Sequence, residues 1–290
     1  MDLLRLELAA DGAMRAHVID GNGAARVETL PPDETARALW GRVIDFAARR
    51  LSEGDYEAEL VRLTAVARAA MQAVRKRDHV ERGVPLPSEN AGSPSQISFW
   101  QSLYERRGDG WDMARAAPPL LRWFGTHSPA GRRALVVGCG RGHEARMLAA
   151  RGAIVTAIDF APSAIVEAGA LAEREGLAIT FLERDLFRLA DEEAMRGGFD
   201  LVVEHCCFCA IDPARRDEYV AVVAELMPAR GQLVGLFYCH GRAGGPPFSV
   251  GEAELERHFA RAFTLESLTT PTDSVATRQG DERLAVFSRR

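Results

Sequence analysis

An apolar run, Leu135-Val136-Val137, drops directly into Gly138-Cys139-Gly140-Arg141-Gly142. A buried strand that turns through glycines into a helix start presents free backbone N–H groups and a positive dipole end, which suits a nucleotide-like ligand. Glycine serves such a turn because the backbone can approach the ligand closely and take positive φ. The next strand, expected over residues 153–158, ends in Asp159. That lies about twenty residues on, where a carboxylate reaches a pair of ribose hydroxyls. A third strand, over 178–182, leads into Asp185-Leu186-Phe187. A carboxylate there can accept a hydrogen bond from an adenine amino group while the apolar pair flanks the ring. The glycines run G-x-G-x-G, and His143 stands where a dinucleotide fingerprint has its third glycine, which disfavours a nicotinamide-dependent oxidoreductase.

Further chemistry-bearing residues follow the fourth strand, expected over 199–203. Glu204 and His205 fall at the carboxyl edge where α/β proteins bind ligands. His205 can line the site, orient an acceptor or take a proton, and Glu204 is a second candidate base. His240 follows the fifth strand, 233–238, at the same edge. Cys206, Cys207 and Cys209 invite a metal reading. Adjacent cysteines on an extended chain point in opposite directions, however, and no separated pair at zinc-site spacing accompanies them. They read as small buried hydrophobes, and no metal is expected. The stretch 241–247, GRAGGPP, is too irregular for a regular element; with Phe248 it is expected to wall the acceptor pocket or, failing that, to be a surface crossover.

The elements that must position these groups are legible in outline. Apolar strands alternate with helical patterns: Ala145, Leu148 and Ala149 after the glycine turn; Ile165, Ala168, Leu171 and Ala172 from Ser163 on. Asp212-Pro213 opens another helix, and Ser249 with Glu252 reads as a capping box for one more. Two last strands, 263–268 and 283–287, can close a hairpin. The alternation predicts an α/β fold, a mostly parallel sheet with helices on both faces. Ahead of it, Phe99, Trp100, Tyr104, Trp111, Trp123 and Phe124 concentrate the aromatic side chains. Trp100, Leu103 and Tyr104 share a helix face, as core packing or as a lid whose ring faces attract a cation. Residues 83–95 are rich in Pro, Gly, Ser and Asn and read as a linker. Residues 1–82 read as a small accessory region: a β-meander, then helices after Pro31-Pro32-Asp33 and after Asp55, the second ending in the basic cluster Arg75-Lys76-Arg77. The domain carrying the chemistry is expected over 96–290.

With 290 residues, 47% hydrophobic and 27% charged, the chain has an ordinary globular composition and room for a full α/β core. A net charge of −5 argues against general nucleic-acid binding and leaves a small molecule as the expected partner. No apolar run is long enough to span a bilayer, and the start of the chain lacks a signal-peptide pattern. Five cysteines without a secreted spacing point to a reduced, cytoplasmic protein, monomer or homodimer.

The three strand-end features together resemble the S-adenosylmethionine site of Rossmann-like methyltransferases, whose sheet also ends in such a hairpin. From about Phe99 onward the chain resembles, more closely, the thiopurine S-methyltransferase family, which includes thiol and halide methyltransferases. The motifs are Phe99-Trp100 with Tyr104, Gly110-Trp111-Asp112, VVGCGRGHE, Asp159, Asp185-Leu186-Phe187, FDLVVEHCCFCAI at 199–211 and GRAGGPPFSV at 241–250. The resemblance implies a class I fold with a seven-stranded sheet, S-adenosylmethionine as cofactor and S-adenosylhomocysteine as product. It implies a SAM pocket lined by Trp100, Tyr104, Trp111, Val137, Gly138, Gly140, Asp159, Asp185, Leu186 and His205, with Trp111 also facing the acceptor. Phe248 and His240 are the other acceptor-side candidates. Relatives often carry arginine where this chain has His205, and residues 1–95 match nothing in the family. The expected reaction is methylation of a small soft nucleophile, a thiol above all. The alternatives are O- or N-methylation with His205 or Glu204 as base, and a SAM-binding protein without catalysis, which the acceptor-side motifs disfavour.

Overall fold

The computed structural model describes residues 3–8, 14–19, 25–30, 93–105 and 111–290. The chain divides into two compact units, Met1–Ala91 and Gly92–Arg290. In the first, β1 (Leu3–Leu8), β2 (Met14–Ile19) and β3 (Ala25–Leu30) form an antiparallel sheet in sequence order, Leu3 opposite Ile19 and Met14 opposite Leu30. The helices expected over 31–77, the basic cluster and Gly110 lie outside the described residues.

The second unit is built on β4 (Arg133–Val137), β5 (Ile154–Asp159), β6 (Ile179–Glu183), β7 (Leu201–His205), β8 (Gln232–Tyr238), β9 (Phe263–Thr269) and β10 (Glu282–Arg289). Their order is β6-β5-β4-β7-β8-β10-β9, parallel from β6 to β8, with β10 antiparallel to both neighbours. The final hairpin therefore closes the sheet as expected.

Strand alternation explains the two-faced core. Leu135 and Val137 point into one apolar cluster with Val202, Leu233 and Phe237, while Ala134 and Val136 point into the other with Val203, Val234 and Leu236. Each fully buried leucine of this kind contributes about 1.5–3 kcal/mol. The helices are α1 (Ile97–Glu105), α2 (Pro118–Thr126), α3 (His143–Ala149), α4 (Pro162–Arg174), α5 (Leu186–Leu189), α6 (Arg216–Glu225) and α7 (Glu252–Phe259). None of the described helices is long and apolar enough to cross a membrane.

Two local expectations are corrected. The helix that Asp212-Pro213 opens begins as a 3-10 turn, Pro213–Arg215, capped by Asp212 through the Ala214 N–H, and becomes α-helical at Arg216. Ser249 does not cap α7. Its hydroxyl accepts from the Gly241 N–H at 2.8 Å, and Gly251 takes the cap position with Glu254 reaching back to its N–H at 3.4 Å.

Candidate active site

The sheet switches direction at β4, whose neighbours β5 and β7 lie on opposite sides. Such a switch point opens a crevice beyond the carboxyl ends of the strands. Its floor is the glycine turn. Gly138 and Gly140 adopt φ of +55° and +52°. A Cβ on Gly138 would sit 2.8 Å from Cys207 Sγ, and one on Gly140 would sit 3.1 Å from the Tyr104 hydroxyl. Only glycine meets both the handedness and the close approach.

Asp159 lies beside that floor at the end of β5, accepting from the N–H groups of Gly140 and Ala161, each at 2.9 Å. Burial raises its pKa, and the backbone donors oppose the shift by favouring the charged form. Asp185 caps α5, one oxygen accepting from the Phe187 N–H at 3.0 Å. Leu186 is buried beside it. Val137 is a correction in part: its side chain is in the core, so only its backbone can face the crevice.

The aromatic residues form one cluster. Trp111 meets Trp100 and Tyr104 edge to face at 5.4 and 5.7 Å, and the three pack on Ala161 and Ala164 at the start of α4. Polar contacts made by three residues fasten this cover. Because Ala161 has no capping side chain, Gln101 of α1 supplies it, its oxygen accepting from the Ser163 N–H at 3.1 Å. Asp112 joins the glycine turn through Arg141 at 2.6 Å and His143 at 2.8 Å. Arg278 donates to the Trp111 carbonyl at 3.0 Å. Tyr104 stays a neutral phenol, since burial and then the Asp159 charge push its pKa up. A floor without side chains, a carboxylate at each of two strand ends and ring faces above fit an adenosyl sulfonium: acceptors for ribose hydroxyls and the adenine amino group, and aromatic faces for the positive charge.

At the end of β7 the picture departs from the expectation. Glu204 is 1% exposed and points into the core, accepting from the Phe208 N–H and the Tyr219 hydroxyl, both at 2.9 Å. It cannot reach a substrate and is no catalytic base. His205 has Nδ1 2.9 Å from Glu144 and Nε2 3.1 Å from Arg278 Nη1. Burial disfavours a charged ring, but the Cys206 sulfur and the Glu144 carboxylate outweigh it and raise the pKa. Glu144 is itself penalised by burial, yet His205 and the Ala117 N–H bring it down to about 2. Charged, His205 has no lone pair; neutral with its proton on Nδ1, its lone pair faces Arg278. Either way it cannot serve as base. The ring is held between Glu144 and Arg278 at the carboxyl end of β7.

His240 is also withdrawn from the acceptor set. Its Nδ1 accepts from the Arg242 N–H at 3.1 Å and its Nε2 faces the Pro247 carbonyl at 3.1 Å, so the ring ties the 241–247 loop together. Phe248 is brought to the β7 edge, its N–H donating to the Cys209 carbonyl at 2.7 Å. Sequence reasoning missed Arg278 and Glu144. Arg278 is 7% exposed and its Nη1 lies 3.1 Å from Cys206 Sγ and 3.4 Å from Glu282. Neither residue stands at a spacing that announces a contact with His205, although Glu144 belongs to the glycine motif. Among the described residues no group of three or more His, Cys, Asp or Glu is placed to hold a metal ion.

Comparison with known proteins agrees with this geometry. The family model for thiopurine S-methyltransferase matches residues 95–289. Thiocyanate methyltransferase 1 of Arabidopsis thaliana is 30% identical over 69% of this chain and 90% of its own length. Thiopurine S-methyltransferase of Pseudomonas paraeruginosa is 28% identical over 60% of this chain and 86% of its own. In structure, 1,6-didemethyltoxoflavin-N1-methyltransferase of Burkholderia thailandensis, solved with S-adenosylhomocysteine, superposes with a TM-score of 0.54 at 20% identity, covering 71% of this chain and 92% of that one. A family match across most of the second unit, on a class I sheet whose glycine turn and strand-end carboxylates suit the cofactor, places this chain in the thiopurine S-methyltransferase family, as an S-adenosylmethionine-dependent enzyme that methylates sulfur.

Proposed function

We propose that the acceptor is a small sulfur nucleophile that reaches the crevice already as a thiolate or comparable soft anion. S-adenosylmethionine, when bound, supplies an activated methyl group, which leaves the chain with binding, alignment and charge. In this reading Asp159 and Asp185 hold the ribose and adenine, Gly138 and Gly140 offer backbone, Leu186 flanks the ring, and Trp100, Tyr104 and Trp111 cover the sulfonium. Trp111 and Phe248 border the acceptor, and His205 and Arg278 form the polar edge between them.

One observation carries the acceptor class. Among the described residues at the β7 and β8 edge, the imidazoles and carboxylates that could take a proton already have partners: Glu204 has Phe208 and Tyr219, Glu144 has Ala117 and His205, His205 has Glu144 and Arg278, His240 its own loop, Glu282 has Arg278 and Asp281 has Arg242. A hydroxyl or ammonium acceptor needs a base to remove its proton, whereas a thiolate does not. The O- and N-methylation alternative loses its base. Methyl transfer from labelled S-adenosylmethionine to a series of aryl thiols should rise with pH along each thiol's own pKa, in the wild type and in His205→Gln alike. A single enzyme-borne pKa, shared by all acceptors and absent from the variant, would overturn this reading.

The same reading extends to organisation. Residues 1–82 act as an accessory region joined through 83–95 to the methyltransferase domain, supported by the division at 91/92. Five cysteines present as free thiols support a reducing, cytoplasmic setting. A chain acting on small molecules within one domain needs no larger assembly than a monomer or homodimer.

A further inference from the structure

Cys206 and Cys209 stand outside the methyl-transfer reading. Cys206 follows β7 with φ of +66°, a left-handed backbone that a non-glycine residue seldom adopts and that clusters at functional sites. Cys206 is half-buried as a residue, while Cys209, three residues on, is buried. The Cys209 S–H donates to the Cys206 carbonyl at 3.2 Å, which holds the two thiols on one turn. Arg278 Nη1 stands 3.1 Å from Cys206 Sγ, and His205 faces the same sulfur. From the β10 side Glu282 faces the cluster through Arg278, and from β7 Glu204 acts on both Cys206 and Cys209 as a negative neighbour.

We propose that Cys206 and Cys209 form a thiol–disulfide exchange site that takes small disulfides, Cys206 attacking and Cys209 resolving. The Cys206 sulfur attacks one sulfur of R–S–S–R, the substrate S–S bond breaks, and RS⁻ leaves behind a Cys206–S–S–R mixed disulfide. The Cys209 sulfur, losing its proton to that leaving thiolate, then attacks Cys206 Sγ and expels a second RS⁻. The protein dithiol has been oxidised to a Cys206–Cys209 disulfide, and the substrate has been reduced to one thiol and one thiolate. A small dithiol in solution returns the pair to its starting state. The released thiolate emerges at the strand edge where sulfur is methylated.

The five thiols of the chain differ in the way such a site requires. The neighbouring Cys209 thiol lowers the Cys206 pKa, and although burial opposes this, His205 and Arg278 add to it. The Cys209 thiol is itself pushed up by Cys206 and by burial, and burial likewise raises Cys139 and Cys207. Burial pushes Cys239 to about 11. A thiolate nucleophile paired with a protonated resolving thiol is the arrangement exchange demands.

The test uses the pre-reduced, desalted full chain and 2,2′-dithiodipyridine at about pH 6, where an ordinary cysteine is almost wholly protonated. Exchange needs no cofactor, so the outcome does not depend on the methyl-transfer reading. The wild type should release two thiopyridones per chain in a burst and carry no pyridyl adduct, and the peptide holding residues 206 and 209 should lose two hydrogens in mass. Cys209→Ser should release one thiopyridone and keep a pyridyl adduct mapped to residue 206. Cys206→Ser should lose the burst, its remaining thiols reacting roughly tenfold or more slowly. Labelling of the wild type in which position 206 is modified no faster than Cys239, or in which a pyridyl adduct persists there unresolved, overturns the proposal without reliance on any variant's folding.

Discussion

Glu204 shows how a residue placed at a ligand-binding edge can belong to the core. Its strand delivers it to the carboxyl end of β7, but alternation turns the side chain away from the crevice, between the Phe208 N–H and the Tyr219 hydroxyl. Burial raises its pKa to about 7, even though both hydrogen bonds favour the charged form. A carboxyl whose pKa is higher in the fold than in the unfolded chain favours the fold while it is protonated. Its contribution is therefore complete below about pH 4.3, the unfolded value, and declines as pH rises. It is lost once pH passes the folded value of about 7. The full difference amounts to about 4 kcal/mol, one pKa unit being worth about 1.4, and most of it falls between pH 5 and pH 8. Glu204→Gln keeps acceptor and shape while removing the titration. Urea unfolding of wild type and variant between pH 5 and pH 8 should show the wild type losing about 3 kcal/mol more across that range. Equal slopes would show that Glu204 does not titrate in the fold. Methyl transfer by the variant should be little changed, as expected of a residue that touches no substrate.

The cover over the crevice works as an element rather than as separate rings. Asp112 bonds Arg141 with one oxygen and His143 with the other, so the segment carrying Trp111 is held to the turn that forms the floor. Arg141 keeps Glu167 as a second partner at 2.6 Å, so the turn survives loss of Asp112. Asp112→Ala should weaken binding of S-adenosylhomocysteine by about tenfold, since charge-assisted bonds in a partly buried setting are worth about 1.5–3 kcal/mol, with compensation from water. Calorimetry reads this directly, and unchanged affinity would mean that the cover is held elsewhere. Elements of this kind divide into those the chain announces and those it does not. Strands β4 to β7 are legible because their apolar runs end at glycine or acidic residues, and Trp100, Tyr104 and Trp111 because aromatic side chains are concentrated there. The Asp112 clamp is not legible, for its partners lie 29 and 31 residues away. Nor is Arg278, which meets His205 across 73 residues from a loop without periodicity. Ser249 misleads for a related reason: a hydroxyl three residues before an acid looks like a cap until a distant Gly241 N–H claims it.

At the scale of the molecule, the sites argued above fall in one unit. The seven-stranded sheet, both large apolar clusters, the glycine turn, the aromatic cover and the cysteine pair all belong to Gly92–Arg290, and the family model spans 95–289 within it. A unit with its own hydrophobic core can in principle fold alone. The β1–β3 sheet of the first unit pairs only within itself, so its removal leaves no strand of the larger sheet without a neighbour. A chain beginning at Gly92 should therefore unfold cooperatively and bind S-adenosylhomocysteine within about threefold of the full chain, a change of under ~1 kcal/mol. Methyl transfer to a small aryl thiol should persist, with any change confined to KM for acceptors that the first unit helps select. Calorimetric titration and thermal unfolding of both chains make the comparison. Loss of more than about tenfold in affinity would correspond to at least ~1.4 kcal/mol supplied by residues 1–91, and the cofactor site could then no longer be assigned to the second unit by itself.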